Sequence, residues 1–227
     1  MLGLINLFLN KYAIRYQRRR SIMFFNNFSP SINDKFLDLG KSDGSLSKFM
    51  MSSFDDMYLA DIDPINLQTA SKLYGFKTIK IKTDGLLPFK DKEFDIIFSN
   101  SAIEHMTVER EKLQSISYEE FKSTALKHQQ CFANEIRRVG KTYFVQTPAP
   151  LFPLESHTWF PFLFFLPRKY LILLLSLTNK FWIKKTIPDW YPISYKRFKQ
   201  LFPEAKIIKE KSFFITKSYI AIYNTNR

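Results

Sequence analysis

The sequence contains a single cysteine, Cys131, among its 227 residues. One cysteine cannot form a disulfide within the chain, build a cysteine-based metal cluster or supply the pair that two-thiol covalent catalysis needs. We therefore expect a protein of the reducing cytoplasm, and we assign no metal ligands in the sequence. Glycine is also scarce, with 6 residues against 24 phenylalanines, and a chain that is 45% hydrophobic can bury a full core.

The chain also lacks an uninterrupted apolar run. Its most apolar stretch, residues 159–177, is broken by Pro161 and Pro167 and carries Arg168 and Lys169 near its centre. A spanning helix needs about 20 mostly apolar residues, and a central pair of cations is costly inside a bilayer. We therefore expect this stretch to be buried or to lie at a membrane surface, not to cross one.

Acidic residues are few at both ends of the chain. Residues 1–35 carry 6 basic and 1 acidic side chains, and residues 158–227 carry 13 and 3. Residues 36–157, with 15 basic and 17 acidic side chains, are nearly neutral. The net charge of +13 thus belongs to the flanks, which favours contact with an anionic membrane or nucleic-acid surface.

Strand-like and helix-like segments alternate between residues 35 and 147. This alternation predicts an α/β fold with right-handed crossovers and a parallel sheet. Residues 205–211 and 217–223 predict a closing antiparallel hairpin. We divide the chain into a basic amphipathic helical extension, residues 1–33, and a domain of residues 34–227. An aromatic and basic insertion lies at about residues 151–193 of that domain.

The loop after the first predicted strand, in FLDLGKSDG, lacks the glycines that hold a diphosphate. Ser42 and Ser45 stand where a dinucleotide fingerprint needs glycine, and a phosphate-binding loop would need a lysine at Leu46. Acidic residues instead follow three strands, at Asp38, Asp61 and Asp84. Because ligands of such sheets bind beyond the carboxyl ends of the strands, these acids favour a cationic nucleoside without phosphate.

The ordered stretches FLDLGKSDG, YLADIDP and TDGLLPFKDKEFDIIFSNSAIEHM resemble a class I S-adenosylmethionine-dependent methyltransferase of the type 11-like group. FANEIRRVGKTYFVQTP and LFPEAKIIKEKSFFITKSYIAIY resemble the later segments of that family. The resemblance implies a Rossmann-like sheet of seven strands, mostly parallel with a C-terminal antiparallel hairpin, and helices on both faces. It also implies S-adenosyl-L-methionine as the cofactor.

Carried over to this sequence, the resemblance implies a set of cofactor-binding residues. Asp38 and Gly40 would lie beneath the methionine part of the cofactor, in a loop that continues to Ser42 and Gly44. Asp61 would hold the ribose hydroxyls. The remaining implied contacts are Ile62 beside the adenine, Asp84 and Gly85 at its amino group, and Asn100 and Ser101 at the end of the fourth strand. The family usually has small residues where Lys41 and Ser42 stand.

The chain has three histidines, and two of them follow predicted strands. His105 follows the fourth strand, close to the expected cofactor, and His157 follows the fifth, where substrate loops of this fold gather. We identify His157 and the nearby Glu155, together with His105, as candidate catalytic residues, because methylation of a hydroxyl can use a base. The interpretation is methylation at oxygen of a small-molecule or lipid-linked acceptor, with a peripheral membrane location compatible with the basic flanks.

Two alternatives remain open at this point. A methyltransferase-fold protein without activity could serve as a membrane- or partner-binding module, since Lys41 and Ser42 depart from the family pattern. An RNA methyltransferase is the other. It is less favoured, because SNSAIE lacks the signature of base-amino methylation and Cys131 alone is not the cysteine pair of pyrimidine methylation. The insertion at 151–193 is either an internal lid over the acceptor or a segment in contact with an anionic membrane.

Overall fold

A computed structural model describes residues 2–40, 43–51, 54–182 and 184–224 of the chain. The described residues form a seven-stranded sheet in the order β3-β2-β1-β4-β5-β7-β6. The strands are β1 Phe36–Leu39, β2 Met57–Asp61, β3 Lys77–Lys80, β4 Phe94–Asn100, β5 Gly140–Pro148, β6 Lys206–Ser212 and β7 Ile215–Tyr223. β1 to β5 are parallel, and β7 is antiparallel to both β5 and β6. The predicted fold class, with its closing antiparallel hairpin, is confirmed.

Six α-helices lie in the described part of the chain. They are α1 Leu2–Asn27, α2 Ser45–Met50, α3 Pro64–Tyr74, α4 Tyr118–Val139, α5 Arg168–Thr178 and α6 Tyr195–Leu201. Local sequence explains the bounds of α3, since Asp63 caps its first turn, Pro64 occupies the first helical position and Gly75 ends it in the left-handed region. Ser117 caps α4 by accepting a hydrogen bond from the Glu120 N–H.

The sheet separates two apolar cores, because successive residues of a strand point to opposite faces. Phe36 and Phe98 pack on the face covered by α1, α2 and α3. Leu37 and Ile97 pack on the other face, against α4 and α6. The carboxyl ends of β1, β2, β4 and β5 are thereby held rigidly at one edge of the sheet.

Helix α1 packs on the domain through a buried stripe of residues four apart. Tyr16, Arg20 and Phe24 make this stripe, which Phe28 continues just after the helix, and the two phenylalanines belong to the apolar core. Arg20 is the only charged side chain among these four residues. Its guanidinium donates to Asn100 Oδ1 (2.8 Å) and Glu210 Oε2 (3.0 Å), and so joins α1 to the ends of β4 and β6.

The insertion at 151–193 folds back over the carboxyl edge of the sheet. The Thr107 hydroxyl donates to the Asp189 carbonyl (2.7 Å), and the Tyr191 N–H donates to the Glu104 carbonyl (2.8 Å). Gln129 of α4 donates to the Tyr191 carbonyl (2.9 Å). Among the described residues, no helix combines the length and the hydrophobicity that crossing a bilayer requires.

Candidate active site

The turn after β1 brings two strand ends into close contact through Gly40. Its N–H donates to the Ala60 carbonyl (2.8 Å) at the end of β2, and its φ of 83° lies in the left-handed region. A Cβ added at Gly40 would lie 2.6 Å from the Cβ of Ala102, just after β4. Position 40 therefore requires glycine both for its backbone angle and for its space.

Gly44 has the same requirement at the start of α2. Its φ is 81°, and an added Cβ would lie 2.8 Å from the ring of Phe76. Lys41 and Ser42, between these two glycines, lie outside the described residues. The cofactor contact of Ser42 therefore stays a prediction.

The acids at the ends of β1 and β2 are buried and oriented by hydrogen bonds. Asp38 is 1% exposed, and its Oδ2 accepts from the Ser47 hydroxyl of α2 (2.7 Å). Asp61 is fully buried, and its two oxygens accept from the Asp63 N–H (2.8 Å) and the Asn66 amide (2.9 Å). Both carboxylates thus have fixed positions at the carboxyl edge, where the sequence predicts the cofactor.

The remaining cofactor candidates of the β2 and β3 ends occupy the same edge. Ile62 is half-buried and packs against the core. Asp84 accepts a hydrogen bond from the Leu86 N–H (3.0 Å). Close packing requires glycine at position 85, because an added Cβ would lie 2.5 Å from the His128 carbonyl of α4.

Asn100 and Ser101, at the end of β4, face different neighbours. The Asn100 amide oxygen accepts from Arg20 of α1. Ser101 has a φ of 56°, donates from its hydroxyl to Gln146 Oε1 (2.8 Å) and lines a large cavity. The structure therefore brings Ser101 to the cavity wall and holds Asn100 against α1.

This cavity, of about 830 Å³, lies between the ends of β4 and β5 and the insertion. The insertion contributes apolar wall residues that include Phe152, Leu154 and Leu166. Arg168 also lines it, with its guanidinium 3.5 Å from the Phe121 ring centroid. A cavity of this size and lining fits an acceptor with a substantial apolar part.

The three candidate catalytic residues meet beside the cavity, although 52 positions separate His105 from His157 in the chain. His157 Nδ1 lies 2.6 Å from Glu155 Oε1, and its ring stacks on Trp190 at 4.6 Å between centroids. The His105 and His157 rings meet edge to face at 4.7 Å. Glu155 and His157 line the cavity, whereas His105 lies behind them, 2% exposed.

Two acids that sequence reasoning did not assign complete this group. Glu104 Oε1 lies 3.5 Å from His157 Nε2, and Glu104 Oε2 accepts from the Thr147 hydroxyl (2.9 Å). Asp189 Oδ1 lies 2.8 Å from His105 Nδ1. Glu104 could have been found, because it adjoins His105 in SNSAIEHM. No sequence signal marks Asp189, which the insertion delivers from a distant part of the chain.

Electrostatics couple His157 to its two acids. Burial alone raises the pKa of Glu155, but the facing imidazole outweighs burial and lowers that pKa to about 2. Burial likewise raises the pKa of Glu104, and His157 and His105 reverse the effect and lower it. For His157, burial lowers the pKa, yet Glu155 and Glu104 together raise it above its ordinary value.

The other end of the cavity is formed by α1 and β7. Tyr12, Arg20 and Lys217 line it, and the Lys217 ammonium lies 3.6 Å from the Tyr16 ring centroid. Burial, with a further contribution from Arg20, lowers the pKa of Lys217 to about 7. The face of Tyr16 acts in the opposite direction by stabilising the charged ammonium. This end therefore offers nitrogen donors, while the opposite end offers the acid–imidazole group.

Comparisons with known proteins agree with this fold. Residues 37–118 match the family model described as a methyltransferase domain. The fold is similar to that of the PH0226 protein from Pyrococcus horikoshii OT3, with a TM-score of 0.54 and 18% identity, covering 94% of this chain and 91% of that chain. It is also similar to magnesium protoporphyrin IX methyltransferase from Synechocystis PCC 6803, solved with bound SAH, with a TM-score of 0.51 and 12% identity, covering 92% and 83%. A search of curated proteins found no matching sequence.

The strand order, the antiparallel β7 and the acids at the strand ends define a Rossmann-like methyltransferase sheet. Residues 37–118 match the model of a methyltransferase domain, and the described residues have the fold of S-adenosylmethionine-dependent methyltransferases. The family resemblance seen in the sequence is confirmed.

Proposed function

We propose that the protein transfers a methyl group from S-adenosyl-L-methionine to an oxygen of a small-molecule or lipid-linked acceptor. The proposal rests on one observation: the candidate cofactor site and the cavity lie next to each other at the carboxyl ends of the strands. The glycine turn and buried acids of β1 and β2 adjoin, through the contact of Gly40 with Ala102, the cavity that Ser101 and Glu104 line. The cofactor would occupy the first feature and the acceptor the second.

The reaction requires the protein mainly to align the acceptor with the cofactor and to provide a proton acceptor. S-adenosyl-L-methionine would supply the methyl group to the acceptor oxygen, and its sulfur would keep the electron pair of the broken carbon–sulfur bond and leave as S-adenosylhomocysteine. The hydroxyl proton passes to the group made by Glu104, His157 and Glu155, which lines the cavity. Enclosure by the insertion would exclude water and hold the oxygen in line with the sulfonium.

The outer face of the insertion supports a lipid-linked acceptor. Leu173, Leu177 and Phe181 are all more than half exposed, and the exposed Lys180 and Lys185 flank them. Apolar side chains beside lysines suit the surface of an anionic bilayer. An acceptor held in that bilayer by its lipid would reach the apolar cavity beneath the same segment.

The cofactor part of the proposal predicts a difference between two neighbouring side chains. Asp61→Ala is expected to weaken S-adenosylmethionine binding by about tenfold to a hundredfold, because hydrogen bonds from the ribose to a charged acceptor are lost. Asn66→Ala removes only the amide that orients Asp61 and should change affinity by less than about threefold. Isothermal titration calorimetry measures both. No binding by the wild-type protein at millimolar cofactor would overturn the enzymatic proposal and leave the binding module.

The acceptor part predicts where a transferred methyl group appears. Protein is incubated with S-adenosylmethionine labelled in the methyl group and an extract of the cells that produce it, divided into lipid and aqueous fractions. Label is expected in the lipid fraction, and added S-adenosylhomocysteine should suppress it by competing for the cofactor site. Label confined to aqueous small molecules would contradict the lipid-linked acceptor, and label in RNA would contradict both acceptor classes.

A further inference from the structure

Glu104, His105 and His157 present donor atoms to one another in a buried group. A carboxylate oxygen of Glu104 and one ring nitrogen from each histidine all lie within 4.8 Å of one another. Glu104 and His105 are each 2% exposed. Two imidazole nitrogens and a carboxylate oxygen form a donor set suited to divalent transition metals.

Each imidazole is held from behind by a further carboxylate. Asp189 lies 2.8 Å from Nδ1 of His105, and Glu155 lies 2.6 Å from Nδ1 of His157. A carboxylate that accepts the Nδ1 proton fixes the ring orientation and leaves the lone pair on Nε2. This is the outer-shell arrangement that supports histidine ligands of metal ions in proteins.

A second observation points to the space between Glu104 and His157. Glu104 Oε1 and His157 Nε2 are buried, and neither makes a hydrogen bond within the described residues. They face each other at 3.5 Å, which is long for a charge-assisted hydrogen bond. Buried polar atoms are nearly always partnered, so both atoms are oriented for a ligand that lies between them.

The charge of the group also favours a cation. The carboxylates of Glu104, Glu155 and Asp189 outnumber the two imidazoles. Arg110 Nε lies 4.0 Å from Asp189 Oδ2 and offsets part of this negative charge. In a buried setting an excess of negative charge is costly unless a cation compensates it.

We propose that Glu104, His105 and His157 bind a divalent first-row transition metal ion, with Zn²⁺ as its representative. Bonds of about 2.0–2.2 Å draw the donor atoms closer together than 4.8 Å, so the group contracts on binding. Glu104 and His157 line the cavity, and an open coordination position there would hold the acceptor oxygen; with the ion bound, Glu155, which is not a ligand, would be the member of the group that accepts the hydroxyl proton. That last role rests on the proposed function. The proposal replaces the sequence-based expectation of no metal.

Titration of chelator-treated, untagged protein with Zn²⁺ tests the site. Wild-type protein is expected to bind about one Zn²⁺ per chain, and Mg²⁺, which prefers oxygen ligands, should not compete. His105→Gln and His157→Gln are expected to weaken Zn²⁺ binding at least about a hundredfold. Asp189→Asn, which changes only the support of His105, should weaken it about tenfold.

The third histidine supplies the matched control. His128→Gln removes an imidazole that contacts the Thr107 carbonyl outside the group and should leave Zn²⁺ affinity unchanged. Circular dichroism melting verifies that each variant is folded. Absorption of the Co²⁺-substituted protein provides a readout independent of variant folding, since nitrogen and oxygen ligation changes the visible spectrum of the ion. A wild-type affinity equal to that of the His105→Gln/His157→Gln double variant overturns the proposal, as does an aqueous Co²⁺ spectrum.

Failure of the metal-site proposal and failure of the proposed methyltransferase function give different experimental results. If S-adenosylmethionine binds and methyl label is transferred equally with and without chelator, and Zn²⁺ does not bind, only the metal site is wrong. If Zn²⁺ binds with the expected variant pattern but the cofactor does not bind at any concentration, the metal site stands and the methyltransferase proposal falls.

Discussion

Gly40→Ala is expected to abolish detectable binding of S-adenosylmethionine and to lower the free energy of unfolding by about 2–4 kcal/mol. Two effects combine. Alanine is strained at a φ of 83°, and its Cβ would meet the Cβ of Ala102 at 2.6 Å. The turn after β1 and the segment after β4 must then separate. The proposed cofactor site lies against this turn, so the substitution changes the shape of the surface that would bind the cofactor.

Gly75→Ala is the matched control for the backbone part of this effect. Gly75 has a φ of 75°, but an added Cβ would meet nothing within 4 Å. This substitution should cost only about 1 kcal/mol and leave cofactor affinity unchanged. Thermal unfolding and isothermal titration calorimetry measure the two variants side by side.

A compensating double variant separates the steric effect of Gly40→Ala from its dihedral strain. Gly40→Ala/Ala102→Gly restores the missing space, so it should regain much of the stability lost by Gly40→Ala while keeping the dihedral strain. If Gly40→Ala alone binds the cofactor like the wild type, the turn after β1 is not part of the cofactor site. If Ala102→Gly brings no recovery, the contact between these two residues is not the source of the loss.

Much of the fold could be predicted because its signals are local. Pro64 and Gly75 mark the ends of α3, and short apolar runs bounded by charged turns mark β1, β2 and β4. The family resemblance then supplies the strand order, which no local pattern contains. The position of the cofactor site follows from the same logic, since Asp38 and Asp61 lie at the carboxyl ends of two parallel strands.

The acceptor side could be predicted only in part, because long-range packing creates it. His157 and Glu155 stand out by residue type after the fifth strand, but their contact with Glu104 depends on how the insertion folds back. Asp189 reaches His105 because Tyr191 and Thr107 bond the insertion to the domain. Arg20 is the last of three consecutive arginines in the sequence, and only the direction of α1 turns it inward.

Arg20→Met is expected to lower the free energy of unfolding by about 3–5 kcal/mol, or roughly 10 °C in melting temperature. Arg20 and Glu210 form a salt bridge of 3.0 Å with side chains only 8% and 1% exposed. Removing the guanidinium leaves the Glu210 carboxylate buried without this partner. Asn100 and Ser218 lose a donor in the same step.

Two further variants test whether the buried charge causes the loss of stability in Arg20→Met. Arg19→Met removes the exposed neighbouring arginine, which donates to the Lys211 carbonyl and lies 5.4 Å from the Tyr16 ring centroid, and should stay within about 0.5 kcal/mol of the wild type. Arg20→Met/Glu210→Met replaces both charges with apolar groups and should recover most of the loss, because no buried carboxylate remains. Chemical denaturation measures all three. A loss for Arg20→Met no larger than that for Arg19→Met would mean that α1 docks by its phenylalanines alone. Recovery in the double variant would instead show that the loss in Arg20→Met comes from the Glu210 carboxylate left buried without a partner, beside the cavity that Arg20 and Ser101 line.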